Sequence, residues 1–182
     1  MASCQQSRHQ TILQHGEAVS SKFKDLIAGR TDRVCCHPWQ LPTWFTENRE
    51  LLFSRLPEFD VLETYHIYHD CGKPYCRTVD AEGRTHFPDH ARVSAAIWRV
   101  LGGDPFIARL IEHDMDMHLL KPAGAKSYPH LDIAPTLLLT ALAELHANAG
   151  MFGGTESLSF KIKWKNLSKI GTILLNRIKE QS

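Results

Sequence analysis

The sequence predicts an all-α fold, a compact helical bundle with room for one short hairpin. Three observations carry this. Apolar residues recur every three or four positions along most of the chain, the breaks fall at glycine and proline, and residues 75–86 hold a DAEG turn between short extended stretches. A chain of 182 residues is long enough to bury a core without disulfide or metal staples. It reads as a single domain over residues 9–182, with residues 1–8 outside regular structure.

The elements follow in order. HQTILQHGEAVSSKFKDLIA (9–28) puts Ile12, His15, Val19, Phe23, Leu26 and Ile27 on one stripe, and Gly29 supplies a stop. RTDRVCCHPWQLPTW carries two prolines and no clean period, so it reads as a loop. A helix is expected over about 44–55, broken by Pro57. DVLETYHIYHDCG then runs helically to Gly72, with Pro74 behind it, the usual punctuation of a helix end. Three- and four-residue offsets superimpose on a helix, so Leu62, His66, His69 and Asp70 share a face.

YCRTVDAEGRTH is the ordered loop or short hairpin. Pro88 opens a helix through Leu101, with Val93, Ile97, Val100 and Leu101 expected as its buried stripe and His90 on that stripe. Asp104 and Pro105 look like the N-cap and first residue of the next helix, which continues through Ile107, Leu110 and Ile111 to His113, Asp114, Met117 and His118. APTLLLTALAELHANAG is apolar almost all round, as a central core helix would be, and Glu144 is its exception. A carboxylate there must be paired, neutralised or bound to a cation. From about residue 158 the chain is basic, with alternation in FKIKWK before an amphipathic pattern.

Composition narrows the function classes. Lys and Arg total 21 against 20 Asp and Glu, so the chain as a whole is no polyelectrolyte binder, although local patches remain open. The first residues are too polar for a signal peptide, and no apolar run approaches the roughly 18–20 residues of a spanning helix. The expectation is a soluble, cytoplasmic protein without membrane association. Five cysteines, Cys4, Cys35, Cys36, Cys71 and Cys76, read as free thiols, with no second pair to complete a Cys4 zinc site.

Eleven histidines are the outstanding count, clustered at 66/69, 86/90 and 113/118. Five predicted helices each turn a metal-capable group inward: His15, His69 with Asp70, His90, His113 with Asp114, and Glu144. One such histidine is usually an ordinary core residue. Five helices aiming them at one core are better explained by a divalent cation, which satisfies imidazole nitrogen and carboxylate oxygen together.

HDCGKP followed by HFPDHARVSA resembles the HD superfamily of metal-dependent phosphohydrolases. The likeness is to the HDxGKP and HFxGHxxxxA elements of bacterial tRNA nucleotidyltransferase HD domains and related RNA-end-processing enzymes. It is densest over residues 65–98 and continues more loosely to LLLTALAELHA.

The resemblance implies an HD-type helical bundle holding one or two divalent transition metals, Mn, Ni, Co, Fe or Zn, with His15, His69, Asp70, His90, His113 and Glu144 as ligands. Glu144 stands where the family usually has Asp. Asp70 would also orient the nucleophile, Lys73 and Arg92 would contact substrate phosphate, and His66, His86, Asp114 and His118 would orient the ligands. The implied reaction is hydrolysis of a nucleotide or RNA-end phosphoester, preferably a 2′,3′-cyclic phosphate or 2′-phosphate. The alternatives are a nucleotidase or deoxynucleotide triphosphohydrolase, and a degenerate module that binds a nucleotide or partner without catalysis.

Overall fold

The computed structural model describes residues 1–7, 10–31 and 38–181. His9, Cys35, Cys36 and His37 lie outside the described residues. The protein is all-α, and its only sheets among the described residues are two antiparallel strand pairs. In chain order the elements are β1 (Gln5–Ser7), β2 (Gln10–Thr11), α1 (Ile12–Ile27), α2 (Thr43–Thr46), α3 (Arg49–Phe53), α4 (Phe59–Tyr68), α5 (Lys73–Cys76), β3 (Thr78–Val79) and β4 (Thr85–His86). There follow α6 (His90–Val100), α7 (Pro105–Glu112), α8 (Asp116–Leu119), α9 (Pro122–Ala125), α10 (Ala134–Ala147), a 3-10 turn (Ala149–Phe152) and α11 (Leu158–Glu180).

The chain divides into two compact units, each assembled from two stretches of sequence. The first comprises Met1–Ser20 and Glu58–Met115. Here α7 packs on both α6 and α4, and Ile12, Val19, Leu62, Tyr65, Ala95, Leu110 and Ile111 are fully or almost fully buried. Asp104 caps α7 as its position predicts, its carboxylate accepting from the backbone N–H groups of Phe106 and Ile107. The expected hairpin forms, pairing Thr78 with His86 and Val79 with Thr85, and Asp80 Oδ1 closes its turn by accepting from the N–H groups of Glu82 and Arg84.

The second unit comprises Ser21–Pro57 and Asp116–Ser182. Its centre is α10, in which every residue from Ala134 to Leu145 except Glu144 is buried, as an all-round apolar helix requires. It packs on α11, which also contacts α2 and α9. Gly171 of α11 admits the Trp44 indole: a Cβ there would lie 2.4 Å from Trp44 Nε1.

Several local expectations change. The helix expected over 44–55 is two short pieces, α2 and α3, divided at Glu47 and Asn48, where Asn48 Nδ2 donates to the Trp44 carbonyl at 2.8 Å. The helix expected to reach His118 stops at His113, whose φ of −101° leaves the α region, and α8 starts afresh at Asp116. FKIKWK is no strand: α11 is continuous over 23 residues, started by Ser157, whose hydroxyl accepts from Phe160 N–H. Gln5–Ser7, expected to lack regular structure, pair with Gln10–Thr11.

Candidate metal centre

The site of interest lies in the first unit, where α4 runs out and the chain turns into α5. His69 and Asp70 are there, both buried, as is His15 on α1. Two glycines allow the surrounding backbones to approach. A Cβ on Gly16 would lie 2.7 Å from the carbonyl oxygens of His66 and Ile67, so α1 presses His15 directly against the end of α4. A Cβ on Gly72 would lie 2.4 Å from Ser94 N, and Gly72 N–H donates to Ser94 Oγ at 2.8 Å, which fixes the turn against α6. Gly72 thus serves by its lack of a side chain, since its φ of −82° is ordinary right-handed backbone and no left-handed helix stop is present.

Two imidazoles converge on one carboxylate. His69 Nε2 is 3.4 Å from Asp70 Oδ2, and His90 Nε2 is 3.5 Å from Asp70 Oδ1. Each ring is held from behind by a carbonyl three residues earlier: His69 Nδ1 lies 2.7 Å from His66 O, and His90 Nδ1 lies 2.9 Å from Phe87 O. If Nδ1–H donates to that carbonyl, a neutral ring turns the lone pair of Nε2 toward a carboxylate. A cation between them would turn this approach of two acceptors into an attraction. Anchoring the distal ring nitrogen on a backbone carbonyl is the usual way a metal-binding histidine is oriented.

His15 completes the arrangement, with Nε2 3.8 Å from Asp70 Oδ2 and its ring centroid 5.3 Å from that of His69. His15, His69 and Asp70 each offer one ligand atom, all within 4.8 Å of one another. Ligands held about 2.1 Å from a common ion stand roughly 3–3.5 Å apart, so small adjustments suffice to close the triad on a metal. A further observation fits: Asp70 Oδ1 is buried and accepts no hydrogen bond from any described residue. A buried carboxylate oxygen in that condition is costly unless a cation serves it.

The electrostatics keep Asp70 ionised. Burial alone would push its pKa up, but the charges of His69 and Lys73, a hydrogen bond from His69 and the charge of His15 hold it far below the usual carboxylate range. Lys73 Nζ donates to Asp70 Oδ2 at 2.5 Å and to Gln6 Oε1 at 2.8 Å, and it lies 5.4 Å above the Phe87 ring. The lysine expected to wait for phosphate is therefore buried against the carboxylate.

The remaining expected residues are distributed as follows. His66 is buried, but it orients His69 through its backbone carbonyl. Asp114 is buried and accepts a short hydrogen bond from the Tyr65 hydroxyl. His113, half-buried, ends α7 and is not drawn into the His15–His69–Asp70 triad. His86 is exposed on the hairpin, where its Nε2 pairs with Asp80 Oδ2 at 2.8 Å. Arg92 is 74% exposed, with Asp89 at 3.8 Å.

Glu144 and His118 belong to the second unit, where they pair at 2.8 Å, and Asn148 Nδ2 donates to Glu144 Oε1 at 3.4 Å. The partner that an acidic group in α10 demands is thus supplied within that unit.

Sequence reasoning missed Gln6, Tyr65, Ser94 and the Phe87 carbonyl. Tyr65 precedes His69 by four residues and Ser94 follows His90 by four, so helical spacing would have found both. Gln6 had no signal, being 67 residues from Lys73 in sequence. No family model, curated protein or solved structure matches the chain.

Proposed function

We propose that this protein is a metal-dependent phosphohydrolase whose centre is built on His15, His69 and Asp70, with His90 beside them. The preferred substrate class is a nucleotide or RNA-end phosphoester, foremost a 2′,3′-cyclic phosphate or a 2′-phosphate. The observation that carries the reading is the approach of two carbonyl-anchored imidazoles to both oxygens of one buried, ionised carboxylate. The resemblance of HDCGKP and HFPDH to HD phosphohydrolase motifs supports the same chemistry and supplies the substrate class.

A divalent ion held there supplies Lewis acidity toward a phosphoryl oxygen and lowers the pKa of water. The chain's own groups do the rest. His69 and His90 keep their orientation because their Nδ1 atoms are fixed on backbone carbonyls. Asp70, kept ionised by its neighbours, orients the attacking water as well as holding the ion. Lys73, on a flexible stem beside Asp70, is the cation that exchanges its carboxylate partner for a substrate phosphate.

One observation favours a second reading, a nucleotide- or partner-binding module without catalysis. Lys73 places an ammonium 2.5 Å from Asp70 Oδ2, a cation already standing where a metal would bind. The test is elemental analysis of the purified protein beside hydrolysis of bis-p-nitrophenyl phosphate with added Mn, Ni or Co, before and after chelation. Bound transition metal with chelator-sensitive turnover supports the hydrolase. Absence of metal and of turnover with every ion supports the module.

A further inference from the structure

The second unit carries a cationic face that the proposed metal chemistry does not use. In α11, Lys161, Lys165 and Lys169 recur at four-residue intervals and are all exposed, so they form a row along one side of the helix. Successive members are about 6 Å apart along the axis. Like charges at this spacing repel and cost helix stability, and no acidic residue occurs between Leu158 and Lys179 to offset them. Glu156 meets Lys161 at 2.9 Å, but Lys165 and Lys169 have no acidic partner among the described residues.

A cleft of about 190 Å³ opens next to this row, lined in part by Met117, Leu145, Leu167, Ile162, Lys163 and Asn166. Met117, Leu145 and Leu167 give it apolar walls and are almost fully buried, Ile162 and Lys163 are exposed, and His118, Lys121 and Asn166 add polar groups to the lining. A slot of this size, part apolar and part polar, accepts a group of about benzene's bulk or somewhat larger.

We propose that this face binds single-stranded nucleic acid, with successive phosphates along Lys161, Lys165 and Lys169 and one unstacked base in the cleft beside Lys163. A row of evenly spaced cations suits a polyanion with evenly spaced charges, and a neighbouring slot with both apolar and polar walls suits an unstacked base, which has an apolar face and hydrogen-bonding edges. An anionic bilayer fits less well. The apolar side of α11 beyond Ile162, namely Leu167, Ile170, Leu174 and Ile178, is buried in the core, so the helix has no continuous apolar face to insert. This inference extends the proposed nucleic-acid chemistry but does not depend on metal or turnover.

The test is fluorescence anisotropy of a labelled single-stranded RNA of about twelve nucleotides, titrated with the full chain in chelator over a salt series. Wild type is expected to bind with strong salt dependence. The triple variant Lys161→Ala/Lys165→Ala/Lys169→Ala should lose at least tenfold in affinity, with the slope of log K against log salt flattened by about 2. Ile162→Glu should weaken binding of the single strand but not of a duplex of equal length. Arg30→Ala/Lys126→Ala, which removes exposed charge on the same unit away from α11, should bind as wild type does.

Equal loss in the control pair, unchanged binding by the row variant, a preference for duplex, or binding to anionic vesicles in place of RNA would each overturn the proposal. Titration in chelator separates the two readings: the RNA should bind with metal removed and hydrolysis abolished, so failure of the metal chemistry would leave this inference standing.

Discussion

Lys73 lies three residues after Asp70 and donates a 2.5 Å hydrogen bond to its Oδ2, both side chains nearly closed off from solvent. Replacing Lys73 with Met keeps the bulk and removes the charge. Breaking a buried ion pair by deleting one partner costs about 3–5 kcal/mol, so the metal-free variant should melt well below wild type. Added Mn should raise its Tm more than it raises that of wild type, because the ion takes over the vacated oxygen. If Lys73 also binds phosphate, kcat/KM for bis-p-nitrophenyl phosphate falls at least tenfold with metal content preserved. Failure of metal to restore Tm would identify Lys73 as the permanent occupant.

Gly16→Ala and Gly72→Ala test how the backbones converge. Each added methyl meets backbone at 2.4 to 2.8 Å, which only a main-chain shift relieves. The expected loss is about 1–3 kcal/mol in each case, measured by urea unfolding. Metal affinity, followed by isothermal titration with Mn, should fall in both, since His15 rides on one approach and Asp70 on the other. Wild-type Mn affinity in both variants would mean that the centre tolerates looser packing than its geometry indicates.

His146 gives the second unit a distinct pH response. Its ring is buried, stacks on Trp39, accepts from Gln40 N–H at Nε2 and has Nδ1 at 2.8 Å from the Leu142 carbonyl. Burial lowers its pKa from 6.5 to about 4, despite the Leu142 hydrogen bond. The unfolded chain therefore binds this proton first as pH falls, so the contribution is full above pH 6.5 and is lost progressively toward pH 4. Its size is on the order of 3 kcal/mol. Urea midpoints measured through that window should fall with acidification, and more shallowly in His146→Gln. Parallel profiles would assign the slope to other groups.

Arg92 offers a clean separation of substrate binding from stability. At 74% exposure and 3.8 Å from Asp89, its loss should change folding by no more than about 0.5 kcal/mol. If it contacts substrate phosphate, Arg92→Ala raises KM for an RNA-end phosphoester while kcat stays close to wild type. Unchanged KM would return Arg92 to the solvated surface.

Helical periodicity carried most of the fold. The core helix α10, the Asp104 cap and the hairpin after residue 76 were legible because each depends on residues close together in sequence. The misread places are those where distant contacts decide. Gly72 followed by Pro74 resembles a left-handed stop, yet the turn is shaped by Ser94, twenty-two residues away. FKIKWK alternates like a strand, but Phe160, Leu167 and Ile170 are core residues of a helix whose basic positions face outward. Within the site, His15, His69, Asp70 and His90 were found from spacing and motif. Sequence could not show that Lys73 would fold back onto Asp70, nor that His66 would act through its carbonyl.

The interleaving of the two units has a bearing on biogenesis. The first unit has all its residues once the ribosome has passed Met115, so it can close while synthesis continues. The second cannot: Trp44, Phe45 and Leu52 emerge early but wait for α10 and α11, more than eighty residues later, before they are covered. Nascent chains stalled between these points will display an aromatic segment that the finished protein hides, and that interval is where chaperone capture and aggregation should concentrate.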